Sequence, residues 1–150
     1  MVGKTALSRR FTLTQLLVLL VAVAVIIAIA VPSCHTRALR SRREEATQAL
    51  HRIQAAEEHY LVQYNRYAAR LAPKPPLGLG LPDISPGAHY ALHLDVDDPV
   101  RPSRFTARAL AIEGAARDGD PNCRSFSLDQ NGIRNAQDAG GADRTALCWR

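Results

Sequence analysis

The side chains able to do chemistry in this chain are few and mostly dispersed. His35, His51, His59, His89 and His93 are scattered. His51 and His59 fall on roughly one helical face, but no thiol and carboxylate accompany them as a nucleophilic site requires. Asp95, Asp97, Asp98, Asp118 and Asp120 offer oxygen ligands that suit a hard cation, yet no calcium-loop motif orders them, and they read as turn formers and surface charges. No C-x-x-C and no His/Cys cluster at ligand spacing occurs, so no metal or cofactor is implied. The expectation is a protein that is not an enzyme.

Of three cysteines, Cys34 follows an apolar run, while Cys123 and Cys148 lie late in the chain around a polar, Gly-rich stretch. That bracket suits a loop-closing disulfide formed outside the cytoplasm, which the chain-entropy model values at about 3.5 kcal/mol. Two reduced buried thiols are the alternative. Cys34 is either a bland membrane-proximal thiol or an intermolecular partner.

The formal net charge of +5 invites a nucleic-acid reading until the charges are located. From Leu71 onward there are nine Lys or Arg against ten Asp or Glu, so the basicity belongs to the N-terminal part. Arg101, Arg104, Arg108, Arg117, Arg124, Arg134, Arg144 and Arg150 form a phosphate-binding stripe only if folding gathers them, and the interspersed aspartates favour ordinary surface charge.

The elements that must position these residues begin with an apolar segment. Phe11 to Val31 is interrupted only by Thr12, Thr14 and Gln15, and as a helix its 21 residues measure about 31 Å, enough to cross a hydrocarbon core. Lys4, Arg9 and Arg10 precede it, which places the N-terminus in the cytoplasm. Pro32 marks an expected kink rather than an end, because Ala46, Leu50, Ile53, Tyr60, Tyr64, Tyr67 and Leu71 continue a helical stripe. One long helix to about Leu71 is expected, apolar all round at first and amphipathic afterwards.

Pro73, Pro75, Pro76, Gly78, Gly80 and Pro82 then enforce a loop. Period-two alternation at Tyr90, Leu92, Leu94 and Val96 predicts a strand, with Arg104 to Glu113 as its partner across a turn at Asp98, Pro99 and Pro102. Ser125 to Leu128 and Ile133 to Asn135 flank Asp129-Gln130-Asn131-Gly132, a hairpin signal. The fold class is α+β: a long N-terminal helix packed on a small antiparallel sheet, divided as 1–10 basic leader, 11–32 membrane helix, 33–72 amphipathic helix and 73–150 head.

The basic leader, Phe11-Thr12-Leu13, Gln15, the apolar run, Pro32 and the basic amphipathic helix resemble the N-terminal methylation segment of type IV prepilins. The remainder resembles the type IVa minor pilins, with a C-terminal loop closed by Cys123 and Cys148 and followed by Trp149. The resemblance implies a pilin fold, cleavage between Arg10 and Phe11 by a prepilin peptidase, and methylation of the Phe11 amine. It further implies a single-pass inner-membrane precursor with its C-terminus in the periplasm. Assembly with like or unlike pilin subunits into an extracellular pilus follows.

Two positions depart from the family pattern. Arg10 stands where the peptidase meets a glycine, and Gln15 where the family has a glutamate that neutralises a neighbouring subunit's amine. An amide brings no charge to a buried ammonium. Its presence fits a tip or initiating subunit, or a copy that stays in the inner membrane. The rival expectations are a type II secretion pseudopilin, a DNA-capturing minor pilin and an unprocessed single-pass inner-membrane protein. A secreted protein cut after Ala28-Ile29-Ala30 is a further rival.

Overall fold

The computed structural model describes residues 13–112 and 119–150, the side chains of residues 30–35 excepted. Arg10, Phe11 and Arg117 therefore lie outside the described residues, as do the side chains of Pro32 and Cys34. The chain forms two compact units, divided between Ala38 and Leu39.

Helix α1 runs from Leu13 to Tyr64 and continues through Pro32. In the first unit its apolar side chains are bare: Leu13 is 83% exposed, Ile26 65% and Ile29 67%. Among the described residues no helix is long and apolar enough to cross a membrane, the apolar side chains described ending at Ile29.

The second unit is a helix laid on a sheet. Strands β1 (Tyr90–Val96), β2 (Phe105–Ala111), β3 (Ser125–Asp129) and β4 (Arg134–Gln137) form one antiparallel sheet in sequential order. Its register pairs Leu92 with Ala109, Ala109 with Phe126, and Phe126 with Ala136. Those residues join Ala46, Ala49, Leu50 and Ile53 of α1 in one core. The spacing of three and four on α1 presents one face, and alternate strand residues present the other. Short Ala107, Ala109 and Ala136, all buried, leave room for the larger Leu50, Ile53, Phe105 and Phe126.

Cys123 and Cys148 are joined in a disulfide with a Cα–Cα distance of 5.8 Å. Both are buried, and Cys148 ends a short helix α2 (Thr145–Cys148). Two further ties bind α1 to the head. Arg43 pairs with buried Asp120, and Glu45 accepts from the Gly87 N–H at 2.8 Å and meets His89 Nδ1 at 2.7 Å.

Several ends differ from the sequence expectation. α1 stops at Tyr64 rather than near Leu71, because Asn65 turns into the left-handed region at φ 53°. Tyr67 and Leu71 still reach the core, but from the segment after the helix. β2 is Phe105–Ala111, and the expected end at Glu113 lies outside the described residues. β4 begins at Arg134 because Ile133 belongs to the turn, its N–H donating to Asp129 Oδ1 at 2.8 Å. In that hairpin Gly132 takes the positive φ of 78°. Helix α2 was not expected; Asp143 Oδ1 accepts from the Thr145 N–H at 2.8 Å at its start.

Leu50, fully buried between helix and sheet, is the test of this packing. Leu50→Ala should lower the unfolding free energy by about 2–5 kcal/mol, read from denaturant midpoints of the full chain in detergent.

Candidate functional site

The described arginines considered for a phosphate-binding stripe mostly meet separate partners, as ordinary surface charges do. Arg108 pairs with Asp95 across β1 and β2 at 2.7 Å, and Arg144 with Asp138 at 2.9 Å. Arg134 sits 5.4 Å over the Trp149 ring, and Arg150 donates to the Ala146 carbonyl at 2.9 Å. Arg124 lines a small recess with Arg42 and Asp120. Most of these guanidiniums thus already have partners, which limits what they offer a ligand.

Arg101 is placed differently. It lines a groove of about 370 Å³ with Leu61, Asn65, Arg66, Tyr67, Pro102 and Ser103. Three pieces of chain build it: the last turn of α1, the segment following Asn65, and the turn between β1 and β2. They are tied together where the Tyr67 N–H donates to the Pro102 carbonyl at 3.2 Å and Arg66 Nη1 to the Val100 carbonyl at 2.7 Å. The Tyr67 ring meets Phe105 edge-on, with centroids 4.9 Å apart.

Two other hollows are less suited to an anion. One of about 500 Å³ on the outer sheet face holds Arg108, already paired with Asp95, among Ser125, Ser127, Asn135 and Gln137. Another of about 320 Å³ holds Arg40, Arg43 and Arg150, but Glu44 shares its lining and Arg43 is committed to Asp120. The Arg66–Arg101 groove combines two guanidiniums, one of them already donating to the Val100 carbonyl, with an aromatic ring and a proline and no carboxylate in its lining. Guanidinium groups bind phosphate and stack on planar groups, so the arrangement can hold a polyanion and a flat base.

The turn carrying Arg101 is fixed by two aspartates. Asp97 Oδ1 accepts from the N–H groups of Asp98, Ser103 and Arg104 at 3.0, 2.9 and 3.1 Å, and Oδ2 from the Ser103 hydroxyl. Asp98 Oδ1 accepts from the Val100 N–H at 2.7 Å. The Ser103 hydroxyl, followed by the backbone donors, holds the Asp97 carboxyl down at about 2 against the opposing effect of desolvation. Asp97 and Asp98 are turn formers, as their sequence positions imply.

On α1, four residues before Leu61 of the groove, lies a residue that the sequence pattern passed over. Glu57 is completely buried; its Oε2 accepts from the Ala68 N–H at 2.8 Å, and Oε1 has no partner. Burial pushes its carboxyl up to about 7, with the Ala68 hydrogen bond opposing. Burial, followed by the charges of Glu57 and Glu58, also raises the Tyr67 hydroxyl. Glu57 occupies the gap in the apolar stripe between Ile53 and Tyr60, four residues from one and three from the other. That position on the buried face was the available signal.

Of the other expected site residues, Gln15 lies exposed on α1, Pro32 is within α1, and Cys123 and Cys148 are bonded to each other.

Comparison with known proteins gives two findings. A family described as type IV minor pilin ComP, DNA uptake sequence receptor, matches residues 32–127. Among solved structures, a type IV pilin from Shewanella oneidensis is 25% identical, over 63% of this chain and 88% of that one, with a TM-score of 0.44. No curated protein sequence matches.

The turn that carries Arg101 can be tested through its acid. Because the Asp97 carboxyl is depressed when folded, its hold on the turn is present above the ordinary carboxylate range and lost as pH falls through about 2. Asp97→Ala should therefore speed amide exchange at Ser103 and Arg104 at pH 6, while the wild type keeps those amides protected down to about pH 3.

Proposed function

The chain belongs to the type IV minor pilin ComP family, and from that premise we propose that it is a minor pilus subunit. It is held in the inner membrane by Phe11 to Val31 before assembly and packed into a filament by the same segment afterwards. The observation that carries this reading is the bare apolar surface of α1. Thirteen consecutive residues from Val18 to Ala30 are all Val, Leu, Ile or Ala, and the described side chains among them are exposed. A surface of that extent needs lipid or neighbouring helices to cover it.

In this reading the peptidase cuts between Arg10 and Phe11, Phe11 becomes the methylated end, and the N-terminus starts on the cytoplasmic side. Ala22, Ala24, Ala28 and Ala30 allow helices to approach closely in the filament core. Gln15, in place of the family's glutamate, leaves the subunit without an internal counter-charge and favours a position at the tip. The head, Leu39 to Arg150, is displayed outside.

A second reading, capture of DNA by the displayed head, is favoured by the Arg66–Arg101 groove. The matching family is described as a DNA uptake sequence receptor, and the groove supplies phosphate-binding guanidiniums beside a Tyr ring. Arg66 and Arg101 position the backbone, while Tyr67 and Pro102 provide the flat apolar surface.

Two measurements test these readings. Val25→Asp places a charge without a partner in the apolar segment and should remove the protein from the membrane and sheared-filament fractions; normal incorporation contradicts the subunit reading. For the head, Arg66→Glu with Arg101→Glu should weaken binding of the full chain to duplex DNA at least tenfold. The same pair should make the slope of log affinity against log salt shallower by about 2. Unchanged affinity and slope exclude the groove as the DNA site.

A further inference from the structure

We propose that Glu57 is a proton switch that docks or releases the segment after α1 and thereby sets the shape of the Arg66–Arg101 groove. The structural part stands on the enclosed seat of Glu57, and its consequence for DNA rests on the capture reading above.

Glu57 projects from α1 into a fully enclosed site, where one carboxyl oxygen holds the Ala68 N–H at 2.8 Å and the other meets no polar partner. Ala68 is itself buried, 1% exposed, and follows Arg66 and Tyr67 in the chain. Tyr67 in turn is bonded to Pro102, and Arg66 to Val100, so the same short segment supports one wall of the groove and clasps the other. The neighbouring segment is held independently: the Tyr60 hydroxyl donates to the Pro76 carbonyl at 2.8 Å, and the Leu81 N–H to the Leu71 carbonyl at 2.9 Å. Asn65 is tied to α1 by its own N–H, which donates to the Leu61 carbonyl at 2.8 Å, so it is the seat of Ala68 that depends on Glu57, in a way that residues 71–81 do not.

A neutral carboxyl tolerates this site, because the Ala68 N–H meets a carbonyl oxygen and no charge is enclosed. An ionised carboxylate there has one hydrogen bond and an unpaired oxygen, a costly arrangement. The ionisable group electrostatically linked to Glu57 is Tyr67 on the following segment, on which Glu58 of α1 also acts, and the ionised forms of both would be negative. From the sheet, Phe105 presents an apolar ring to Tyr67, and among the described residues no cation offsets the Glu57 charge. The sign follows. Glu57 binds its proton more tightly folded than unfolded, so stabilisation of the docked segment is complete below about pH 4.5 and is withdrawn as pH rises through about 7. Above that range the carboxylate turns toward water, the Ala68 N–H loses its acceptor, and the chain around Ala68 leaves α1.

The test uses the full chain in detergent micelles. The Glu57 carboxyl carbon is followed by NMR from pH 4 to 9, together with amide exchange at Ala68 corrected for intrinsic rates. The expected result is a carboxyl midpoint between pH 6 and 8 and a corrected Ala68 exchange rate that rises at least tenfold across it. Glu57→Gln, which keeps an acceptor and cannot ionise, should abolish that rise. A carboxyl midpoint below pH 5, or a rise that persists in Glu57→Gln, overturns the switch. If the variant does not fold, the wild-type titration alone decides.

A parallel measurement of duplex DNA affinity at pH 6 and 8, at fixed salt, separates the two readings. An affinity that differs at least fivefold between the two pH values in the wild type, but not in Glu57→Gln, supports coupling to the groove. DNA binding with the same pH response in both proteins overturns that coupling. No DNA binding at either pH, with the expected exchange behaviour, removes the capture reading and leaves the switch standing.

Discussion

An amphipathic helix must cover its apolar face, and in this chain most of the head is organised around that requirement. Ala46, Ala49, Leu50, Ile53 and Tyr60 recur on one side of α1, and all are buried. Burying side chains such as Leu50 and Ile53 contributes about 1.5–3 kcal/mol each. Four short strands supply the covering surface, with alanines beneath the larger helix residues and Phe105, Phe126 and Leu128 filling the rest of the layer. The other ties work at the margins of this contact: Arg43 with Asp120, Glu45 with His89, and the Cys123–Cys148 bridge that fastens α2 to the segment before β3. The candidate site depends on it too, since Arg66 and Tyr67 take their places from where α1 ends.

Much of this was legible because local patterns and tertiary packing agree. The stripe on α1 and the alternation from Tyr90 to Val96 each identify a face, and the structure buries those faces except at Tyr64, which ends α1 exposed, with Leu94 and Val96 half-buried. The run of Pro and Gly after Leu71 ends regular structure for backbone reasons that need no tertiary information. The end of α1 was harder to read. Tyr67 and Leu71 lie in phase with the stripe and are drawn into the core, but from beyond a left-handed Asn65, and periodicity cannot distinguish the two routes. Ile133 similarly looks like a strand residue until Asp129 takes its N–H.

The groove had no local signature at all. Its two walls, Leu61–Tyr67 and Arg101–Ser103, are far apart in sequence, and neither holds a motif by itself. Reading the arginines by number emphasises those from Arg101 onward and passes over Arg66. Glu57 was hidden for a related reason. A charged residue in a gap of an apolar stripe is easily taken for a break in the pattern, although its phase puts it on the buried face.

The two units of this chain place different demands on their surroundings. The head buries its own core, whereas the apolar side chains described before Ala38 are exposed along α1. The family match begins at Pro32, where the apolar segment has just ended, so the membrane and filament roles rest on the sequence before it. Arg10 and Gln15 make the fate of that segment the decisive question. Intact mass and N-terminal sequence of the protein recovered from inner membranes and from sheared filaments answer it directly. A pilus subunit is expected to begin at methylated Phe11 in the filament fraction. An uncut chain found solely in the membrane, or a soluble chain beginning at Val31, contradicts it.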